Sequence, residues 1–236
     1  LPFFKKHEVQ FREICKSIRW HEIKMADSFA DVIPYLHTKD NIIENNEISH
    51  VLQKMGDGSV INLTGTGGGN IVRHNFIHHI YTVEFIGGCL RTDGWSDGTL
   101  WENNVIWKAN CAAWEHKGKS ILLNNYAIDL SPLRYFRMYY DSVDGSVIER
   151  NIFYNSKEKV AFYTQKFPQQ LAKSTLRNNL YFDIEPQFID EPDVLKLLHS
   201  QGVGKSDLFA DPLFMDTENG DFTLRPESPA LKLGIK

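Results

Sequence analysis

Pairs of apolar residues recur along this chain. Each pair is followed by two mostly polar residues, an asparagine, any residue and a further apolar one. The pattern reads Asn46-Glu47-Ile48, Asn75-Phe76-Ile77, Asn104-Val105-Ile106, Asn125-Tyr126-Ala127, Asn151-Ile152-Phe153 and Asn179-Leu180-Tyr181. The asparagines stand 29, 29, 21, 26 and 28 residues apart. Only Leu123-Asn124 departs from the polar pair before the asparagine. Such a period belongs to one supersecondary unit stacked on itself.

The apolar runs ahead of each asparagine are short and β-prone: Asn41-Ile42-Ile43, Gly69-Asn70-Ile71-Val72, Gly98-Thr99-Leu100-Trp101, Ser120-Ile121-Leu122-Leu123, Ser146-Val147-Ile148 and Ser174-Thr175-Leu176. Long stretches with helical 3-and-4 spacing are missing between about residues 40 and 185, and so is a regular leucine ladder. Short strands in coils of this length predict a parallel β-helix, an all-β solenoid in which each rung pairs with the next. Asparagine tolerates the left-handed backbone region and its amide bonds neighbouring main chain. It is therefore expected inside each bend, bonded to its equivalent in the next coil. The unequal coil lengths predict loops of different size on one side, the usual place for a binding face.

The repeats divide the chain. Residues 1–38 lack the pattern, and Phe11 to Ile18 reads as a short amphipathic helix or a degenerate rung. Residues 39–190 carry the β-helix. Residues 191–236 begin with a helix at 191–201, opened by Pro192 and stopped by Gly202. A loop-rich tail with one strand, Asp221 to Leu224, then closes the end of the solenoid.

Composition narrows the partners. The chain of 236 residues has a net charge of −4 and shows no basic stripe, which argues against nucleic acid. No apolar run approaches the roughly 18 residues of a membrane span. Leu1-Pro2-Phe3-Phe4-Lys5-Lys6 does not read as a signal peptide, and the expectation is a mature protein or a piece of a longer one with earlier rungs. Cys89 and Cys111 stand 22 residues apart, and either a disulfide or two stacked buried thiols fits that step.

The tail and the middle of the chain carry a resemblance. The tail segments are Phe209-Ala210-Asp211-Pro212-Leu213-Phe214, Asn219-Gly220-Asp221-Phe222-Thr223-Leu224 and Ser228-Pro229-Ala230. The middle segments are Asp57-Gly58-Ser59, Asn75-Phe76-Ile77-His78, Gly88-Cys89-Leu90-Arg91-Thr92-Asp93-Gly94 and His116-Lys117-Gly118-Lys119. Over roughly residues 40–236 the chain resembles the right-handed parallel β-helix proteins of the pectate-lyase-like superfamily, in particular their bacterial carbohydrate-active branch. The resemblance implies a right-handed solenoid, a secreted or periplasmic bacterial protein, and a polysaccharide or oligosaccharide as partner. Members include glycoside hydrolases and polysaccharide lyases. Where relatives often carry two adjacent acids, this chain has Thr92-Asp93, with only the second.

Asp93 and Glu115 share the 22-residue step of the two cysteines. Stacked in register, they would project from neighbouring rungs about 4.8 Å apart. Carboxyl groups at about 5–5.5 Å suit a retaining glycosidase. Asp57 is a third candidate, either a turn acid or the partner of Asp93 in a wider, inverting arrangement. His116 and His78 are candidates for sugar hydrogen bonds, and Trp95 for a stacking platform; Trp101 and Trp107 are expected to fill the coil. Arg91 and Lys117 gain importance in a lyase, which would also bring in calcium. Otherwise no cofactor or metal is called for. Vicinal His78 and His79 in a strand point to opposite faces, which argues against a shared ion. The leading expectation is a glycoside hydrolase acting on a plant or algal polysaccharide. A polysaccharide lyase and a non-catalytic glycan-binding solenoid are the alternatives.

Overall fold

The computed structural model describes residues 36, 38–54, 56–83, 88–94, 96–130, 134–138, 144–156, 161–163, 173–183 and 200–236. The expected rung or helix before residue 36 therefore lies outside the described residues, as does most of the helix at 191–201. So do Trp95 and Cys15.

The chain winds as a right-handed parallel β-helix with three strands to a coil. The first coil holds β1 (Ile42–Glu44), β2 (Glu47–Ser49) and β3 (Ile61–Leu63). The second holds β4 (Ile71–Arg73), β5 (Phe76–Ile80) and β6 (Gly88–Thr92). The third holds β7 (Thr99–Glu102), β8 (Val105–Ala109) and β9 (Ala112–His116). The fourth holds β10 (Ser120–Leu123), β11 (Tyr126–Ile128) and β12 (Arg134–Met138). The fifth holds β13 (Val147–Glu149), β14 (Ile152–Asn155) and β15 (Ala161–Tyr163). Then come β16 (Thr175–Arg177), β17 (Leu180–Asp183) and β18 (Leu208–Phe209). Stacking gives a first sheet β1-β4-β7-β10-β13-β16, a second β2-β5-β8-β11-β14-β17-β18 and a third β3-β6-β9-β12-β15.

Strand alternation sends one residue in two into the coil, and register lines these up from rung to rung. Ile43, Val72, Trp101, Leu122, Ile148 and Leu176 form one inward row. Ile48, Ile77, Ile106, Ala127, Phe153, Tyr181 and Phe209 form another. In the second row the rings of Phe153, Tyr181 and Phe209 stack at successive centroid distances of 5.1 Å. Cys89 and Cys111 are both free and buried, with their sulfurs 3.5 Å apart, so the stacked-thiol alternative holds.

The asparagines do form a ladder between the first and second sheets. From Asn46 to Asn179, each backbone N–H and each side-chain Nδ2 donates to Oδ1 of the next asparagine at 2.8–3.2 Å. The second Nδ2 hydrogen goes back to a main-chain carbonyl of the preceding coil, as from Asn125 to Trp101 at 2.8 Å. Asp207 ends the ladder by accepting from Asn179. The left-handed residue is not the ladder asparagine itself. It is the residue before it: Asn45, His74, Asn103, Asn124, Arg150 and Asn178 have φ of 52–58°. That residue turns the chain, and the asparagine that follows points into the bend.

β19 (Phe214–Asp216) and β20 (Asp221–Leu224) make an antiparallel hairpin, followed by the short helix α1 (Pro229–Lys232). They lie along the flank of the second sheet, where Phe214, Ala230 and Ile235 bury Trp107, Tyr126, Ile128, Ile152 and Leu180. Trp107 accordingly sits outside the coil, under this hairpin, whereas Trp101 fills the interior. Gly220 passes so close to Trp107 that a β-carbon there would meet the indole at 3.2 Å. Among the described residues no helix is long and apolar enough to cross a membrane.

Candidate functional site

From β6 to β9 the third sheet advances by 24 residues: Leu90 pairs with Trp114, Arg91 with Glu115 and Thr92 with His116. The 22-residue step of the cysteines therefore does not carry over to the acids. Asp93 follows β6 and sits beside Lys117, while Glu115 sits beside Arg91. Asn62, Arg91 and Glu115 form an outward row.

The three candidate acids nevertheless meet, through an arginine. Arg91 contacts Asp57 at 3.2 Å, Asp93 at 2.8 Å and Glu115 at 3.1 Å. Lys117 Nζ lies 2.6 Å from the other Asp93 oxygen. The bond from Arg91 to Asp57 has hydrogen-bond geometry, whereas Nε and Glu115 meet as charges only. Exposure grades across the cluster: Asp57 is 75% exposed, Asp93 27%, Arg91 6% and Glu115 3%. The inner end is a buried pair and the outer end faces water. Three carboxylates against two cations leave one negative charge.

Burial opposes the charge of Arg91, but Glu115, Asp93 and Asp57 outweigh it and raise its pKa. Burial alone would raise Asp93. The hydrogen bond from Lys117, the Gly94 N–H at 2.7 Å and the charge of Arg91 win, and hold it below the ordinary aspartate value. Asp93 is thus an ionised carboxylate at neutral pH. Arg91 is a fixed cation and not a base.

His116 alternates with Glu115 and points inward. It is fully buried, with Nδ1 3.1 Å from Thr92 Oγ1 and 3.2 Å from Ser120 Oγ, and Nε2 has no hydrogen-bond partner. Burial drives its pKa down to about 3, so the ring is neutral. It has no path to a ligand outside the coil.

His78 lies on a different wall, in β5 of the second sheet. Its Nε2 is 3.0 Å from Glu47 Oε1 and its Nδ1 is 2.8 Å from His79 Nδ1. Opposite-face geometry fails here because His79 has φ of 52°, which breaks the strand alternation and turns its ring toward its neighbour. His50, His79, Lys108 and Asp129, at φ of 50–53°, make a second left-handed column. Each stands four residues after a ladder asparagine, a signal present in the sequence but overlooked when only the apolar positions are tracked.

Among the described residues no three His, Cys, Asp or Glu side chains are disposed to hold a metal ion. No protein-family model, curated protein or solved structure matches the chain.

Proposed function

We propose that this β-helix is a carbohydrate-active protein outside the bacterial cytoplasm, and that the outer face of its third sheet hydrolyses glycosidic bonds in a plant or algal polysaccharide or oligosaccharide. One observation carries the reading. Asp57 and Asp93, 36 residues apart in sequence, share one guanidinium on an outward-facing wall, with Asp93 held ionised. In this reading Asp93 is the base that takes a proton from water, and the water oxygen attacks the anomeric carbon. Asp57, the exposed acid of the pair, takes the acid role only when it has left Arg91 and carries a proton, which it then gives to the departing glycosidic oxygen. Glu115 is too deep to touch a sugar and instead holds Arg91 in place. Lys117, the more exposed of the two cations, flanks the reacting carboxylate and stands ready for sugar hydroxyls, while Arg91 holds the two acids together.

The test is a polysaccharide panel followed by reducing-end release, with ultraviolet absorbance recorded in parallel. Turnover that vanishes in Asp93→Asn and Asp57→Asn, with unfolding unchanged, supports hydrolysis. New absorbance from an unsaturated product assigns a lyase instead. A second reading is supported by the same ionic cluster: a glycan-binding solenoid without turnover, because every carboxylate there already has a cation partner. Glycan binding with no new reducing end over long incubation assigns that reading.

A further inference from the structure

The tail packs against the second sheet and the third sheet carries the ionic cluster, whereas the outer face of the first sheet takes part in neither. Strand register defines two outward columns on it. One reads Ile42, Ile71, Leu100, Ile121, Val147 and Thr175 along the solenoid. Ile42 is 54% exposed and Ile121 37%, while Ile71, Leu100 and Val147 are half-buried. Isolated exposed apolar residues are ordinary, but an aligned stripe of five marks an interaction surface. The other column reads Glu44, Arg73, Glu102, Leu123, Glu149 and Arg177. Its charges pair lengthwise: Arg73 with Glu44 at 2.6 Å and with Glu102 at 3.7 Å, and Arg177 with Glu149 at 2.7 Å. Those contacts hold the side chains in a row of fixed sign order, and the ends of the row face water, with Glu44 37% and Arg177 56% exposed.

The sign order is self-complementary. From Glu44 it runs minus, plus, minus, neutral, minus, plus. Reversed and laid on itself, it sets Glu44 against Arg177, Arg73 against Glu149 and Glu102 against Leu123, each twice. No like charges meet. The same reversal sets Leu100 on Ile121 and Ile71 on Val147 in the apolar column, with Ile42 on Thr175 at both ends. One operation produces both matches: a two-fold axis in the plane of contact, parallel to the strands and passing between β7 and β10. It reverses the order of coils and keeps each column over its own counterpart. An axis along the solenoid would instead lay the apolar column on the charged one.

We propose that the outer face of the first sheet is the interface of a homodimer, covered by a second copy of this chain about the strand-parallel axis. Two faces packed in this way keep their strands roughly aligned, the usual arrangement of stacked sheets. Six rungs of three- or four-residue strands make a patch roughly 24 Å by 10 Å. That is small for a specific interface, so the dimer is weak, and its four charge pairs make it sensitive to salt. The third sheet and its carboxylates take no part, and the dimer does not depend on carbohydrate activity.

The experiment is sedimentation equilibrium of the full chain from about 5 to 500 μM, at low and high salt. The expected result is a monomer–dimer equilibrium without larger species, weakened several-fold by salt. Ile121→Lys places a cation on Leu100 of the partner subunit twice over and weakens the dimer by roughly tenfold or more, with thermal unfolding nearly unchanged. Glu44→Arg and Arg177→Glu each bring like charges together at both ends and weaken self-association. Mixed in equal amounts, these two variants restore every charge pair, so their heterodimer is tighter than either variant alone. That recovery does not arise from misfolding. A monomer at every concentration leaves the face to some other molecule and overturns the proposal. So do larger assemblies, a dimer indifferent to Ile121→Lys, or a mixture that associates no better than its components.

Discussion

The asparagine ladder and the Arg91 cluster are both columns of polar side chains stacked across coils, yet they are built on opposite terms. The ladder repeats one residue, carries no charge and consumes its own hydrogen bonds: each amide donates to the coil on either side and accepts from the preceding one. The cluster repeats nothing. Asn62, Arg91 and Glu115 occupy equivalent positions with three different chemistries, and its charges close on a single guanidinium. Repetition makes a coil that stacks. Departure from repetition leaves a wall where charge is available to something outside the protein.

The sharpest way to break this comparison is to cut the ladder in its middle. Asn125→Ala takes the acceptor from the Asn104 N–H and Nδ2 and the donor from the Trp101 carbonyl, all buried. At roughly 1–3 kcal/mol for each of the three stranded groups, the cost is about 3–9 kcal/mol by urea unfolding. It should not change with salt, because no ion is involved. A value below about 1 kcal/mol would show the ladder to be decorative.

The neutral interior makes a pH prediction of similar size. His116 has a folded pKa of about 3, below its unfolded value near 6.5, so the unfolded chain binds the extra proton first. Stability is fully present above about pH 6.5 and falls as pH drops toward about 3, by several kcal/mol. His116→Gln should flatten that slope in unfolding measured across the range.

Breaking the cluster comes next. Arg91→Met removes the cation from Glu115 at the buried end and should cost about 3 kcal/mol. Pairing it with Glu115→Gln should restore much of the loss in a double-mutant cycle. Full additivity would mean that the two do not interact.

The smallest effect belongs to the wet end. Lys117→Met should cost under about 1 kcal/mol, because the Lys117–Asp93 pair is partly exposed and salt screens it. The lowered Asp93 pKa adds a sign: its contribution is present above the ordinary aspartate range and disappears as pH falls through the folded value.

Much of this was legible in the order of residues. The six asparagines announced the ladder, and the apolar runs before them became β1, β4, β7, β10, β13 and β16. Asp57, Asp93, Glu115, Arg91 and Lys117 were each recognisable as candidates, and they do share one place. Two features of the structure differ from the pattern in the sequence for the same reason. The 22-residue step put Glu115 beside Asp93, and strand alternation put His78 and His79 on opposite faces. Register and a single left-handed residue decided otherwise.

By itself the sequence determined the coil, because a two-residue strand periodicity and a recurring amide are local facts that each repeat states again. Only the tertiary structure decided which charges neutralise one another. Contacts between coils depend on where each loop re-enters the sheet, and a shift of two residues exchanges a carboxylate partner for a guanidinium.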